Sequence, residues 1–195
     1  MPALSNCVVI NGNNAYTVTT SESPGLAINT ISSISGNQNL FGYSHTAPMT
    51  APYRVAALLQ WTSFGGSNDG NSAVFFGYID TSGKYSVTLF NNSPQIFAGS
   101  RYLNSNTLSN TLATYSMESW PELAWFGLRN DGANIHYEMS SDGVNFVSLA
   151  QESLGSAFLV NYTNIIWGFQ TNNTNPISLT LRCYDPNGLT RAFPY

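Results

Sequence analysis

Two Asp-Gly turns in one short segment constrain the fold of this chain more than any other feature. Segment 122–149 contains three extended, half-apolar runs, and the turns between them contain Asp131-Gly132 and Asp142-Gly143. Asp-Gly accepts the positive φ angles that tight hairpin turns require. The segment therefore predicts an antiparallel meander and commits the chain to β structure.

The rest of the chain repeats this pattern of short strands and turns. No segment shows the 3.6-residue apolar period of an amphipathic helix, and only 154–159 has the character of a helical turn. Apolar or alternating runs occur at 53–61, 73–79, 84–90, 164–170 and 177–183, with weaker ones at 16–19 and 39–43. About ten to twelve strands separated by turns predict an all-β sandwich or barrel.

The composition fits one sandwich with an unusually uncharged surface. The chain has 195 residues, of which 43% are hydrophobic and only 8% are charged, and Lys84 is its one lysine. Soluble domains average roughly 25% charged residues, so solubility must depend on Asn, Ser, Thr and Gly. We expect a single β-sandwich domain over 1–195, with a core at about 5–185 and a short tail at 186–195.

Charge and hydropathy argue against two classes of partner. The net charge is −4 and the six basic residues are scattered, so no basic stripe is available for a nucleic acid backbone. No apolar run approaches the roughly 20 residues of a membrane span. The first residues lack the basic and apolar regions of a signal peptide, which predicts a product made in the cytoplasm.

The two cysteines, Cys7 and Cys183, lie near the two ends of the chain in strand-like runs. First and last strands of a sandwich are often neighbours, so a disulfide is geometrically possible. For a protein made in the cytoplasm we favour two reduced thiols. His45 and His136 follow no metal-ligand spacing, so no metal site is predicted.

No catalytic group stands out in the sequence. Glycoside hydrolysis needs two carboxyl groups that flank one bond, but Pro121 separates Glu118 from Glu122, and Glu138 and Asp142 lie across a turn. No Gly-x-Ser-x-Gly nucleophile motif is present. We therefore predict no catalytic residues and no cofactor.

Two polar features have a structural explanation beside a functional one. His136 alternates with apolar neighbours and is interpreted as a hydrogen-bonded sheet residue. Segment 68–71 offers oxygen atoms to calcium, but it lacks spaced acidic ligands and is interpreted as a turn.

Stacking of aromatic rings on sugars is the chemistry that the sequence leaves open. The candidates lie among polar neighbours, which favours their exposure; they are Tyr43, Tyr102, Trp120 and Tyr162. The alternative is that aromatic residues of a sandwich mostly form its core. Trp61, Trp125 and Trp167 lie within strands and are interpreted as core residues.

The order of elements resembles a known family. A strand at 53–61, a hairpin at 73–90, the Trp125 strand, the motif Ser-Ser-Asp-Gly-Val-Asn-Phe at 140–146 and Ile166-Trp-Gly-Phe169 follow one another. This order is similar to that of the concanavalin A-like lectin/glucanase jelly roll, in particular the single modules of tailed-bacteriophage virion proteins. The resemblance covers residues 5 to 185 and implies an antiparallel jelly-roll sandwich of two stacked sheets. The fold hosts lectins, hydrolases and structural modules alike.

Two functions follow as expectations from this resemblance. The first is a non-enzymatic virion protein, a capsid decoration (cement) protein or a small fibre or appendage subunit. Its partners would be the major capsid protein, other virion subunits and further copies of itself, for example in a trimer. The second is a lectin-like module that binds host surface polysaccharide.

Overall fold

The protein folds into two stacked antiparallel β-sheets. A computed structural model describes residues 4–11, 17–21, 26–32, 39–46, 50–63, 73–91, 95–117, 123–171 and 177–186. The strands in these ranges are β1 (Val8–Asn11), β2 (Thr17–Ser21), β3 (Leu26–Ser32), β4 (Asn39–Thr46), β5 (Tyr53–Ser63), β6 (Ala73–Ile79), β7 (Tyr85–Asn91), β8 (Gln95–Asn104), β9 (Thr107–Asn110), β10 (Ala113–Ser116), β11 (Leu123–Asn130), β12 (Asn134–Ser140), β13 (Val147–Ser153), β14 (Asn164–Thr171) and β15 (Ile177–Asp185). Short 3-10 turns occur at Leu4–Asn6 and Leu154–Ser156.

The strand order places distant segments side by side. The eight-stranded sheet has the order β1-β4-β14-β6-β7-β8-β10, with β9 also paired to β8. The seven-stranded sheet has the order β13-β12-β11-β5-β15-β3-β2. The predicted all-β fold with two stacked antiparallel sheets is thus confirmed, and the helical turn expected at 154–159 is a single 3-10 turn.

The predicted meander forms one edge of the seven-stranded sheet, where β11, β12 and β13 pair in sequence. Gly132 and Gly143 have φ angles of 94° and 75°, which confirms the two Asp-Gly turns. In the first turn, Asp131 Oδ1 accepts a hydrogen bond of 2.7 Å from the backbone N–H of Asn134. The turn fixes the register, and Arg129 lies directly opposite His136.

The main hydrophobic core lies between the sheets. It takes inward-facing side chains from both of them, such as Phe76 on β6 and Phe126 on β11. Trp61 and Trp167 belong to this core and are 1% and 0% exposed, which confirms their interpretation from the sequence.

A buried polar cluster ties the two sheets together at one end. Arg101 on β8 donates to Glu152 on β13 at 2.6 Å, and Tyr137 on β12 donates to the same carboxylate at 2.5 Å. The hydroxyl of Ser86 on β7 lies 2.5 Å from that of Tyr137. The Arg101–Glu152 and Ser86–Tyr137 bonds each join the eight-stranded sheet to the seven-stranded sheet. The Tyr137–Glu152 bond links these two within the seven-stranded sheet. The cluster therefore fixes how the sheets lie on each other.

The outer face of the eight-stranded sheet carries a second core. The residues that alternate with those of the main core are apolar as well, and they form a separate cluster: Leu40, Ala73, Phe75, Tyr85, Val87, Leu89, Tyr102 and Ile166. Phe75, Val87 and Ile166 are each 0% exposed. This outer face is therefore closed to solvent over much of its area.

The hairpin of β8 and β9 reaches across this face. The backbone N–H of Leu40 on β4 donates 2.7 Å to the carbonyl of Ser105 at the hairpin tip. The hydroxyl of Tyr102 on β8 donates 3.0 Å to Gln170 Oε1 on β14. Because β6 and β7 separate β8 from β14, these bonds require the sheet to curl strongly over its own outer face.

Two glycines permit a close approach of neighbouring strands in this sheet. Gly42 and Gly168 lie opposite each other on β4 and β14. A Cβ atom at Gly168 would collide with the carbonyl oxygen of Phe41, and one at Gly42 would collide with that of Trp167. Any larger residue would push the two strands apart.

The two cysteines lie on different sides of the seven-stranded sheet. Leu181 pairs with Leu59 of the main core, but a bulge follows, and Cys183 pairs with Leu58 on the outer face. In the sequence, Ile177, Leu179, Leu181 and Cys183 alternate with polar residues, which predicts that Cys183 faces inward. The bulge makes that prediction wrong. Cys7 packs against the main core, and neither cysteine forms a disulfide.

Candidate functional site

Three of the four aromatic residues that the sequence offers for sugar stacking lie in the described ranges, and none of the three presents an open ring. Tyr43 is 6% exposed and packs in the main core, 5.8 Å from Phe41 and 6.4 Å from Trp167 between ring centroids. Tyr102 is 2% exposed, lies within the β8–β9 hairpin and packs in the second core. Polar sequence neighbours suggested exposure for both, and the expectation is wrong because residues distant in sequence, such as Trp167 and Gln170, contact the two side chains.

Tyr162, the third candidate that the structure describes, is no more open. The ring of Tyr162 is half-buried and packs edge-on against Tyr78 at 5.0 Å, where its backbone carbonyl accepts a hydrogen bond from Tyr53. Burial, with the carboxylate of Glu152 nearby, raises the pKa of Tyr162 well above its usual range. Trp120 lies outside the described residues, so its role in ligand binding stays a prediction.

Trp125 is buried but does not belong to the main core. It pairs with Leu58 and Ser140 on the outer face of the seven-stranded sheet and is 8% exposed. A Cβ atom at Gly143 would lie 2.7 Å from its ring, so the second Asp-Gly turn folds directly over the indole. The turn of residues 141–146 therefore covers one part of this outer face.

Next to that turn, the same face carries a set of charged side chains. We call it the arginine cluster and define it as Arg54, Arg129, Asp131, His136 and Glu138. Arg54, Arg129 and His136 lie opposite one another on the adjacent strands β5, β11 and β12. Glu138 follows two residues after His136 and therefore shares its face of β12.

Glu138 is the centre of the arginine cluster. It is only 2% exposed and accepts a hydrogen bond from Arg54 Nε at 2.7 Å and one from Arg129 Nε at 2.8 Å. Arg54 Nη2 lies 3.4 Å from its other oxygen. Gly127 on β11 lies next to Glu138 and has no side chain, so the ring of Phe146 occupies the space over it. This ring stacks 4.8 Å from the Arg54 guanidinium.

Asp131 and His136 form the rim of the cluster. His136 Nε2 lies 2.7 Å from Asp131 Oδ2, and His136 Nδ1 lies 3.3 Å from Ser148 Oγ. The hydrogen bond with His136, aided by the backbone N–H groups of Asn134 and Ala133, lowers the pKa of Asp131 well below its usual range. His136 is thus a hydrogen-bonded sheet residue, as its alternation suggested.

The two acidic residues that lie across the second Asp-Gly turn, Glu138 and Asp142, are both bound by other groups of the chain. Glu138 is bound by two arginines, and Asp142 accepts hydrogen bonds from the backbone N–H groups of Val144 and Asn145. These bonds lower the pKa of Asp142. Glu118, Glu122 and segment 68–71 lie outside the described residues. Within the described ranges, no three His, Cys, Asp or Glu side chains are grouped to hold a metal ion.

Sequence reasoning missed the arginine cluster because it treated the six basic residues as scattered. One part of it was recoverable, since the turn at Asp131-Gly132 predicts the pairing of Arg129 with His136. Arg54 belongs to the cluster only because β5 pairs with β11, and these two strands are distant in sequence. No local signal indicates that pairing.

Several solved structures share this fold, although their sequence identity is low. A carbohydrate-binding module, CBM66 from Bacillus subtilis, is 8% identical with a TM-score of 0.53 and covers 93% of this chain and 96% of its own. The exoplasmic/lumenal domain of VIP36 in its Ca2+/Man2-bound form is 9% identical, with a TM-score of 0.51 and coverages of 92% and 82%. The alginate lyase from Corynebacterium sp. is 9% identical, with a TM-score of 0.54 and coverages of 88% and 79%. No family model and no curated protein sequence matches the chain.

These similarities establish the fold as a concanavalin A-like jelly roll, as the order of elements predicted. They include both binding modules and a lyase, so the prediction of a non-enzymatic protein stays a prediction. The virion location, the capsid partners, the homo-oligomer and the exclusion of nucleic acid are likewise untested. Within its described ranges, the chain contains no helix with the length and apolarity to cross a bilayer.

Proposed function

We propose that this chain is a carbohydrate-binding module whose ligand lies on the outer face of the seven-stranded sheet, over the arginine cluster. The observation that carries the proposal is the fixed array of planar polar groups on that face. Two guanidinium groups, an imidazole and two carboxylates bond to one another within a single patch. The fold shared with CBM66 and with Man2-bound VIP36 supports carbohydrate binding, and the array supports its place on the molecule.

Such an array suits sugars because hydroxyl groups both donate and accept hydrogen bonds. Guanidinium N–H groups donate to sugar oxygens, and Asp131 at the rim accepts from sugar hydroxyls. The side chains of Arg54, Arg129 and Asp131 are 18%, 26% and 32% exposed, so each reaches solvent while remaining tied to a neighbour. Groups that are held in place before binding lose less conformational entropy when a ligand arrives.

The outer face of the other sheet is the less suitable surface. In this protein it is filled by the second core and crossed by the β8–β9 hairpin. A sugar there would have to displace apolar side chains such as Phe75, which is 0% exposed. This contrast directs the proposal to the seven-stranded sheet.

A glycan array tests the proposal, because densely immobilised sugars reveal weak binding through avidity. We expect the wild-type chain to bind a subset of glycans and Arg129→Ala to bind the same subset at least about tenfold more weakly, since it removes charge-assisted hydrogen bonds. Arg182→Ala is the matched control. It removes an arginine from the same sheet whose Nε donates to Gln60, away from the cluster.

Thermal unfolding of both variants establishes that they remain folded. Equal glycan binding by wild type, Arg129→Ala and Arg182→Ala would move the site elsewhere. No binding by the wild type to any glycan would contradict the proposed function itself.

A further inference from the structure

We infer that Arg54 and Arg129 form a subsite for the acidic group of a charged glycan, either a sugar carboxylate or a sugar sulfate. The inference rests on the proposed function and names the class of ligand. It follows from the buried carboxylate that the two guanidinium groups share and from the N–H donors of each that remain unused.

The two arginines occupy an unusual position for like charges. They lie directly opposite each other on β5 and β11, where like charges destabilise a sheet. Glu138 offsets the repulsion because it bonds to both arginines, and it is 2% exposed while their side chains are 18% and 26% exposed. The negative charge of Glu138 is therefore buried, while both guanidinium groups reach solvent beside the carboxylate of Asp131, which is 32% exposed.

Each guanidinium group is only partly used by this arrangement. Arg54 bonds Glu138 through Nε and Nη2, and Arg129 bonds it through Nε. Among the described residues, no side chain pairs with Arg54 Nη1 or Arg129 Nη2. The nearest carboxylate oxygen to Arg129 Nη1 is Asp131 Oδ2 at 3.6 Å, which exceeds hydrogen-bond length. The two outward ends thus keep several N–H donors available.

Donors of this kind match an acidic group better than a hydroxyl. Carboxylate and sulfate each present several oxygen atoms, which accept parallel N–H bonds from guanidinium groups, and such charge-assisted bonds are roughly twice as strong as neutral ones. A neutral sugar hydroxyl would use only one of these donors. An anion bound to the solvent-exposed part of the two arginines would also offset their mutual repulsion.

The surrounding residues hold the subsite in shape. Phe146 stacks on the Arg54 guanidinium from the adjacent turn. On the far side, Asp131 is fixed by His136 and by two backbone N–H groups of its turn. Both guanidinium groups are therefore oriented before a ligand arrives, which reduces the entropy lost on binding.

The net negative charge of the chain means that an acidic glycan would need a specific local site. With a net charge of −4, the protein repels a polyanion at long range, so general attraction cannot produce binding. Binding of an acidic glycan must come from a local group of exposed cations. The pairing of β5 with β11 places two of the six basic residues, Arg54 and Arg129, side by side at this site.

Binding of purified wild-type chain to matched pairs of polymers tests the inference. The first pair is polygalacturonate and its carboxyl-reduced form, which share a backbone, and the second is dextran sulfate and dextran. We expect binding to at least one charged polymer and about 10- to 100-fold weaker binding to its neutral counterpart. The pair that shows the difference identifies carboxylate or sulfate as the acidic group.

The variants Arg54→Gln, Arg129→Gln and Arg129→Lys connect this preference to the subsite. We expect each glutamine variant to lose about tenfold or more in affinity for the charged polymer. Arg129→Lys should recover only part of it, because lysine keeps the charge and loses the planar fork. Arg182→Gln should bind as the wild type does. Unfolding curves identify any variant whose loss of affinity reflects misfolding. If a glutamine variant misfolds, the affinity of Arg129→Lys for the charged polymer tests the subsite instead.

The outcomes separate this inference from the proposed function. Equal binding of charged and neutral polymers, lost in Arg129→Gln, would keep the carbohydrate site and overturn the acidic subsite. A charge preference that survives in both glutamine variants would also overturn it. Failure to bind these polymers and every glycan of the array would overturn both proposals.

Discussion

The outer faces of the two sheets show how one fold can build two different surfaces. On the eight-stranded sheet, outward residues such as Val87 and Ile166 are apolar and 0% exposed, and a hairpin closes over them. On the seven-stranded sheet, outward residues include Arg54 and Arg129, which bond to a buried carboxylate and still reach solvent. The first face contributes stability as a second core, and the second has the groups needed to bind a ligand.

The largest effect should come from opening the closed face. Phe75→Ala should lower the free energy of unfolding by about 3–5 kcal/mol, as for a core position, although Phe75 points away from the main core. Chemical denaturation measures the change. Leu123→Ala is the control on the other sheet. Because Leu123 is 50% exposed, this substitution should lower the free energy of unfolding by less than about 1 kcal/mol. Similar costs for the two variants would remove the distinction between the faces.

Removing the counterion of the arginine cluster should have the next largest effect. Glu138→Gln leaves Arg54 opposite Arg129 without a compensating charge, and should destabilise the fold by about 2–3 kcal/mol. Fully buried pairs cost about 3–5 kcal/mol, but both arginines are partly exposed here. A double-mutant cycle with Arg54→Gln measures the coupling energy. A coupling near zero would mean that Glu138 does not hold the arginines together.

High pH should weaken the closed face. Burial raises the pKa of Tyr85, which lies in the second core, to about 12. An unfolded tyrosine ionises near pH 10, so the stability that this phenol contributes is present below about pH 10 and is lost as pH rises towards about 12. The loss is at most about 2–3 kcal/mol.

Denaturation of wild type and Tyr85→Phe across this pH range isolates the contribution, because other buried tyrosines titrate in both proteins. The variant should lose less stability than the wild type as the pH rises. Parallel losses would mean that Tyr85 is not held in its neutral form by the second core.

The smallest effect should come from the bond that joins the hairpin to β14. Tyr102→Phe removes the hydrogen bond to Gln170 and keeps the ring, so we expect a loss of about 1 kcal/mol in unfolding free energy. Glycan binding should not change, because Tyr102 lies on the closed face. A variant that is stable but no longer binds glycans would place the ligand on that face and contradict the comparison.

Local sequence signals predicted about ten to twelve strands, fewer than the fifteen in the described ranges; they missed β3 and β8 to β10, and they predicted the site poorly. The Asp-Gly turns gave the β11–β12–β13 meander and the outward direction of His136, because both depend on neighbouring residues. Exposure of Tyr43 and Tyr102 was wrong because their covers come from distant strands. The outward turn of Cys183 was missed because a bulge changes the alternation without any mark in the sequence.

The arginine cluster shows the same limit from the functional side. Arg129, His136 and Glu138 lie in one hairpin, and their shared face follows from the turn and from the two-residue period of strands. Arg54 joins them only because β5 pairs with β11, and Phe146 because the following turn folds back over Gly127. Composition alone, with six basic residues spread along the chain, indicates no such group.

The sequence by itself determined that this protein is a β-sandwich, because alternation and turn chemistry act over a few residues and need no knowledge of the final fold. Only the tertiary structure decided that one outer face closes while the other keeps two arginines over a buried glutamate. The pairing of distant strands and the curl of a sheet are set by packing across the whole molecule, and that packing is what leaves a charged surface available to a ligand.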